Sequence, residues 1–280
     1  RRGARARPRD PAARLPNVMA PYANIRLERQ GPRAVLSLAR PEVRNALDEA
    51  TLDELHDAFK RLGSGGERVV LLKGEGKDFC AGADVRWMRR ASEFTPAESR
   101  KDAMRLVRAL RAVEECPCPV IARVHGGVYG GGLGLLAACD IVAAAEDSKF
   151  SFSECRLGIL PAVVTSFVLP KIGPSHTRRL YLTAEVFGAR TAQAVGLIHE
   201  AVPEAGLDAK VSELADSVLR NGPKAVAAAK AYIRKMGGLP AERRIKLSIE
   251  TLVKSRSSPE GKEGLRAFLE KRPPAWLSKP

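Results

Sequence analysis

An α/β fold is predicted by three features of the sequence. Short apolar runs alternate with stretches at helical spacing, two glycine-rich loops each follow such a run and open a helix, and the last third reads as helices alone. The chain has 280 residues with 45% hydrophobic content, enough for one large core or two unequal ones. Charged residues make up 28%, and no apolar run approaches the roughly 20 residues that span a bilayer, so no membrane partner is expected.

From Asn24 to Arg40 the segment NIRLERQGPRAVLSLAR alternates apolar and polar positions on both sides of Gly31-Pro32, as a hairpin does. Leu52, Leu55, Ala58, Phe59 and Leu62 recur at helical spacing, and Val69 to Leu72 forms a short buried strand ending at Gly74-Glu75-Gly76. The order then repeats. A basic amphipathic helix of about 20 residues runs to Glu115, followed by a strand from Val120 to Val124, a glycine cluster from Gly126 to Gly132, and a helix from Leu133 to Cys139. Ile141 to Ala145 and Phe150 to Phe152 are further strands.

Past Val202 the pattern changes. Val211, Leu214, Ala215 and Val218 share one stripe, Ala225, Ala228, Ala229 and Ile233 the next, and Ile245, Ile249, Leu252, Leu265 and Phe268 continue the series. The organisation predicted is an α/β core over 19–202 and a helical region over 203–280. Residues 1–18 are read as a disordered basic arm or an extension upstream of the natural start, because prolines break any amphipathic presequence helix and no secretory apolar stretch is present.

The formal charge is +15, of which residues 1–18 supply +5 through Arg1, Arg2, Arg5, Arg7, Arg9 and Arg14 against Asp10. A basic surface suits a phosphate-bearing ligand or nucleic acid, or is a solvated face with neither. Aromatic residues at 5%, without a stacking motif, argue against RNA binding. Five cysteines, an odd count with Cys139 and Cys155 in apolar surroundings, point to a reducing, cytoplasmic setting. Cys116-Pro117-Cys118-Pro119 is too tight for two metal ligands and reads as a turn, so no metal is expected.

Chemistry concentrates in two loops, Gly76 to Asp84 (GKDFCAGAD) and His125 to Gly132 (HGGVYGGG). Small residues permit close backbone approach, and free amides at a helix start suit developing negative charge. The same composition also suits plain tight turns between strand and helix. A phosphate loop is excluded because no Gly-Lys-Ser/Thr follows. A dinucleotide fingerprint fails because Asp140 comes too early and Glu146 lies past its strand. His125 ends a buried strand, where a structural hydrogen bond is its commoner role, and Asp84 reads as a helix cap.

The segments GKDFCAGADVRWM, PVIARVHGGVYGGGLGLLAACDIVAA and FSFSECRLGILPAVVTSFVLPKIG resemble, in order and spacing, the crotonase (enoyl-CoA hydratase/isomerase) superfamily. The resemblance covers about 20–275 and extends from NIRLERQG and RPEVRNALD to EGLRAFLEKRPPAW. It implies a spiral of strand–strand–helix turns and a C-terminal helical trimerisation region, in a trimer or a dimer of trimers. It implies an acyl-CoA substrate, with CoA arriving as part of that substrate and no further cofactor.

By that resemblance the amides of Ala83 and Gly131 form an oxyanion hole. Val43 and Arg44 of the RPEVRNAL loop and Ala81 hold pantetheine and adenine, Arg86 stands near the CoA phosphates, and Lys271 reaches a neighbour's CoA. Tyr129, Leu133 and Gly134 are expected around the acyl pocket. Glu154 matches the second of the family's two acid/base glutamates, whereas the position of the first is Gly134, which cannot transfer a proton. The similarity is greatest to the bacterial 3-methylglutaconyl-CoA and isohexenylglutaconyl-CoA hydratases, which share that glycine. This implies hydration of a branched enoyl-CoA, with Δ3,Δ2-enoyl-CoA isomerisation as the alternative reaction. Arg156 is a weak candidate for a substrate carboxylate.

Overall fold

A computed structural model describes residues 22–277. The expected arm at 1–18 lies outside the described residues. β1 (Ile25–Gln30) and β2 (Arg33–Leu38) pair antiparallel with Gln30 opposite Arg33, so the turn falls at Gly31-Pro32. Then follow α1 (Glu49–Arg61), β3 (Val69–Gly74), α2 (Val85–Ala91), α3 (Pro96–Glu115), β4 (Val120–Val124), β5 (Gly127–Tyr129), α4 (Gly131–Ala138), β6 (Ile141–Ala145), β7 (Lys149–Ser151) and α5 (Ala162–Thr183). The chain continues through β8 (Phe187–Gly188), α6 (Ala189–Ala194), β9 (Glu200–Val202), α7 (Glu204–Leu219), α8 (Pro223–Met236), α9 (Ala241–Ser257) and α10 (Pro259–Leu269).

The larger sheet has the order β1-β2-β3-β4-β6-β9 and is parallel beyond the hairpin. Both its faces are covered, as buried parallel strands require. Alternation along each strand divides the core. Val70, Leu72, Val120, Ala122, Val124, Val142 and Ala144 face a large cluster with residues of α1, α3, α4 and α5, while Val69, Ile121, Ala143 and Ala145 face Leu207, Val211 and Ala215 of α7. α7 therefore covers the second face of the sheet, and α8 is tied to the core by Lys230, whose Nζ donates to Asp140 at 2.7 Å and Cys118 O at 3.1 Å. A smaller sheet, β5-β7-β8, stands apart, with β5 parallel to β7.

Local chemistry fixes the helix starts. Asp48 caps α1 by accepting from the Thr51 amide at 2.8 Å, and Thr95 and Glu98 form a reciprocal capping box on α3. α5, which the alternation of the sequence did not delimit, bends at Gly173, where φ is +74°, between Pro170 and Pro174.

Candidate active site

Two loops and a helix start meet through backbone pairing. The loop 40–47 lies along the loop 78–84: Ala81 N donates to Arg44 O at 2.9 Å, Leu47 N to Gly82 O at 2.7 Å, and Asp84 N to Leu47 O at 2.9 Å. The second loop joins by a bridge between Cys80 and Val128, with Tyr129 N donating to Cys80 O at 3.0 Å. The start of α4 can press against this loop because Gly132 has no side chain; a Cβ there would lie 2.9 Å from that of Cys80. Gly130 turns the chain into α4 at φ +48°.

Buried polar groups lock the arrangement. Asn45, 1% exposed, donates to Glu75 O and Asp78 O at 2.8 Å each and accepts from Arg40 N at 3.0 Å. Asp78 accepts from the Gly127 amide at 2.6 Å and pairs with Arg44. Burial by itself pushes the Asp78 carboxyl up, but the Arg44 guanidinium and the Gly127 amide outweigh it and hold the group below its usual range. Asp84 caps α2, accepting from Arg86 N at 2.8 Å and Trp87 N at 3.3 Å, and its second oxygen meets Arg40 at 3.0 Å. That ion pair offsets a carboxylate next to Ala83 that would otherwise oppose negative charge at the Ala83 amide.

The amides of Ala83 and Gly131 have no acceptor among the described residues. Both residues line one cavity of about 210 Å³ together with Glu154, Leu47, Leu52, Trp87, Leu106 and the stretch 159–164. Trp87 is oriented by its Nε1, which donates to Asp102 Oδ1 of α3 at 3.0 Å. Gly131 opens α4, so the positive end of the helix faces the cavity. At the far end of α4, Lys171 donates to Leu136 O at 3.1 Å and Cys139 O at 2.8 Å, satisfying carbonyls that would otherwise be orphaned.

Glu154 follows β7 at the head of a 3-10 turn that ends at Gly158. Among the described residues it is the only charged side chain lining the cavity. Its Oε2 is buried without a hydrogen-bond partner among the described residues. Burial raises the carboxyl above its ordinary range, and its own backbone amide offsets this only in part.

The other residues singled out in the sequence are spread around this cavity. Val43, Arg44 and Ala81 lie along the paired loops, and Arg86 is exposed in the first turn of α2. Lys271 is exposed just past α10, far along the chain from the cavity's own elements. Leu133, Gly134 and Tyr129 are not among the residues lining the cavity. Leu133 is fully buried in the core, Gly134 packs against Val164 and Leu110, and Tyr129 lies toward Gly127 and Arg44. His125 Nε2 donates to Gly76 O at 2.7 Å, and Arg156 is exposed; neither lines the cavity.

Several lining residues were missed by reading the sequence. Leu52 looked like a core position of α1, Trp87 drew no attention behind the cap read at Asp84, and Ile159 to Val164 passed as an ordinary apolar run. Only tertiary proximity to Glu154 distinguishes them.

The sequence profile of the enoyl-CoA hydratase/isomerase family matches residues 28–279. The chain is 33% identical over 261 residues to a crotonyl-CoA hydratase of Syntrophomonas wolfei, spanning 92% of this chain and 99% of that protein. It is 31% identical over 252 residues to a short-chain-enoyl-CoA hydratase of Clostridium acetobutylicum, spanning 89% and 95%. The crystal structure of an enoyl-CoA hydratase from Shewanella pealeana superposes with a TM-score of 0.86 at 34% identity, covering 91% of this chain and 96% of that one. Likeness of sequence along nearly the whole chain, together with likeness of fold, makes this protein an enzyme of the enoyl-CoA hydratase/isomerase family, within the crotonase superfamily.

Proposed function

We propose that the enzyme adds water across the α,β double bond of a branched enoyl-CoA, with Glu154 as the sole acid/base and the amides of Ala83 and Gly131 as the oxyanion hole. The thioester oxygen accepts from both amides, which draws electron density from the β-carbon. The Glu154 carboxylate takes a proton from water as the water oxygen bonds to the β-carbon. The enolate then collapses as its α-carbon takes a proton from the Glu154 carboxyl, so the group ends as it began. No proton remains to be supplied from position 134.

One observation carries this reading: a carboxylate with an unpartnered oxygen and a raised pKa lines the same small cavity as two amides that have no acceptor. A base held near the operating pH both accepts and returns a proton. CoA would run along the backbone of Val43, Arg44 and Ala81, with Arg86 near its phosphates, and no cofactor beyond the substrate is invoked.

The narrower reading, a 3-methylglutaconyl-type acyl group, asks for a cation near its terminal carboxylate. Among the described residues the cavity lining contains none. A groove of about 510 Å³ shares Leu160, Pro161 and Ala162 with the cavity and includes the exposed Arg178, which would donate to a carboxylate that extended past these residues. Turnover across straight and branched enoyl-CoA thioesters, with and without a terminal carboxylate, tests this. Preference for the neutral branched group retires the glutaconyl reading and leaves the hydratase.

The presence of a single carboxylate also suits Δ3,Δ2-enoyl-CoA isomerisation, which needs one base. Absorbance of the conjugated enoyl thioester separates the two reactions, because it falls on hydration and rises when a Δ3 substrate is isomerised. A rise from Δ3 substrate without a fall from the conjugated one would replace hydratase by isomerase.

We also propose a trimer or a dimer of trimers. α9 and α10 carry exposed Ile245, Ile249, Leu252, Val253, Leu265 and Phe268, apolar positions that contact with another subunit would cover.

A further inference from the structure

Gly134 and Val164 cannot both carry their share of side chain. A Cβ on Gly134 would lie 2.6 Å from Val164 Cγ1, 3.1 Å from Leu110 Cδ1 and 3.2 Å from Val164 Cβ. The first distance is one that real Cβ atoms essentially never show, and the second and third already demand movement. Gly134 sits in the buried middle of α4, where glycine is less favourable than alanine, and where its φ is not in the left-handed region. Its presence there is therefore a matter of space and not of backbone conformation.

That space belongs to Val164, which is 2% exposed, packs over Gly134 and also lines the cavity with Glu154. Leu110, the other neighbour of Gly134, does not line it. Any side chain leaving α4 at position 134 runs into Val164 before it reaches the cavity. We propose that Val164, seated in the room left by Gly134, is the wall that sets the size of the acyl group accepted beside Glu154, and that it closes position 134 to a second carboxylate.

This deepens the hydratase reading and rests on it for the identity of the bound group. The wall is β-branched and stiff at χ1, so it excludes bulk at a fixed distance and does not yield as a longer unbranched side chain would. With Val164 present the enzyme is matched to a compact acyl group. Trimming it to alanine removes two methyl groups from the wall and opens the cavity toward α4. The glycine and the valine thus form one unit, and their substitutions are expected to be strongly non-additive.

The test combines binding with stability. Calorimetry with saturated butyryl-CoA and hexanoyl-CoA, which needs no turnover, is run on the parent and on Val164→Ala. The ratio of the two dissociation constants is expected to move toward the longer chain by about 10-fold, the scale of an added or removed methylene in an apolar pocket. In parallel, thermal midpoints are taken for Gly134→Ala, Val164→Ala and the double variant. The Gly134→Ala loss should largely vanish in the Val164→Ala background. If Gly134→Ala does not fold alone, recovery of a folded double variant gives the same answer.

An unchanged binding ratio in Val164→Ala overturns the wall, and an undiminished Gly134→Ala loss in the Val164→Ala background overturns the shared space. Failure of the hydratase reading looks different: acyl-CoA thioesters still bind with the shifted ratio, while the parent hydrates none of the enoyl-CoA thioesters.

Discussion

Gly130 and Glu154 approach so closely that a Cβ on Gly130 would lie 3.2 Å from Glu154 Oε1, and Gly130 is the residue that turns the chain into α4. The residue before the proposed oxyanion amide and the proposed acid/base are thus in contact. Gly130→Ala would crowd the carboxylate and strain a backbone held at φ +48°. We expect turnover to fall by more than binding of the saturated product analogue, as kcat and KM measured on the same variant would reveal.

The oxyanion amide can be blocked more directly. A Cβ at Gly131 would meet Leu47 Cδ1 at 3.3 Å, and Leu47 lines the cavity, so a valine there projects toward the ground the thioester needs. Losing one such donor ordinarily costs about 100-fold or more in kcat. Gly131→Val should retain its circular dichroism and lose that much turnover. Near-normal turnover in the folded variant would remove Gly131 from the site.

Stability should report on Glu154 with a definite sign. Its folded pKa is raised above the unfolded value by burial, so its contribution to stability is fully present below the unfolded pKa and is lost as pH rises through the folded pKa. Glu154→Gln carries no such charge. Thermal midpoints of the variant and parent should therefore diverge in favour of the variant as pH rises from the acid side to neutrality. A variant less stable than the parent at neutral pH would mean that the carboxylate is not desolvated as the geometry implies.

The loop lock gives a structural prediction. Asn45 makes three hydrogen bonds in a fully buried position and sits at φ +56°, so Asn45→Ala leaves two carbonyls and an amide unsatisfied. The loss is expected to be about 1–3 kcal/mol in chemical denaturation, with a higher KM because residues 43–44 and 81 share this loop pairing. Unchanged stability would mean that the two loops are held by other contacts.

The strand limits at Val120–Val124 and Ile141–Ala145 were readable residue by residue, because each is a short apolar run bounded by turn residues. Ala83, Gly131 and Glu154, implied by the family resemblance, share one cavity. What could not be read was which way a buried side chain points. Gly134 stands in register with a family carboxylate, yet its Cα faces Val164 and Leu110, and the run Pro161 to Val164 gave no hint that one of its residues would occupy that space. In the smaller sheet the strand read at Phe150 to Phe152 falls one residue from β7 (Lys149–Ser151), whereas β5 and β8 were hidden, since strands of two or three residues carry too few alternations to register.

Assembly is tested by light scattering. The proposed assembly would cover the exposed apolar residues of α9 and α10, among them Phe268 at 81% exposed, and its expected mass is that of three or six chains. An active monomer would contradict the proposed assembly and with it any role for Lys271 at a neighbour's CoA.

In the proposed reaction Glu154 alone handles the water and the proton. This role is tested most directly by steady-state hydration of a branched enoyl-CoA by Glu154→Gln, paired with calorimetric binding of the hydrated product. Acid/base catalysis by a positioned group contributes about 100-fold or more, so the variant should hydrate at no more than about one hundredth of the parent rate while binding product nearly as tightly, because the amides of Ala83 and Gly131 are untouched. Hydration above about a tenth of the parent rate, in a variant that binds product normally, would contradict the account.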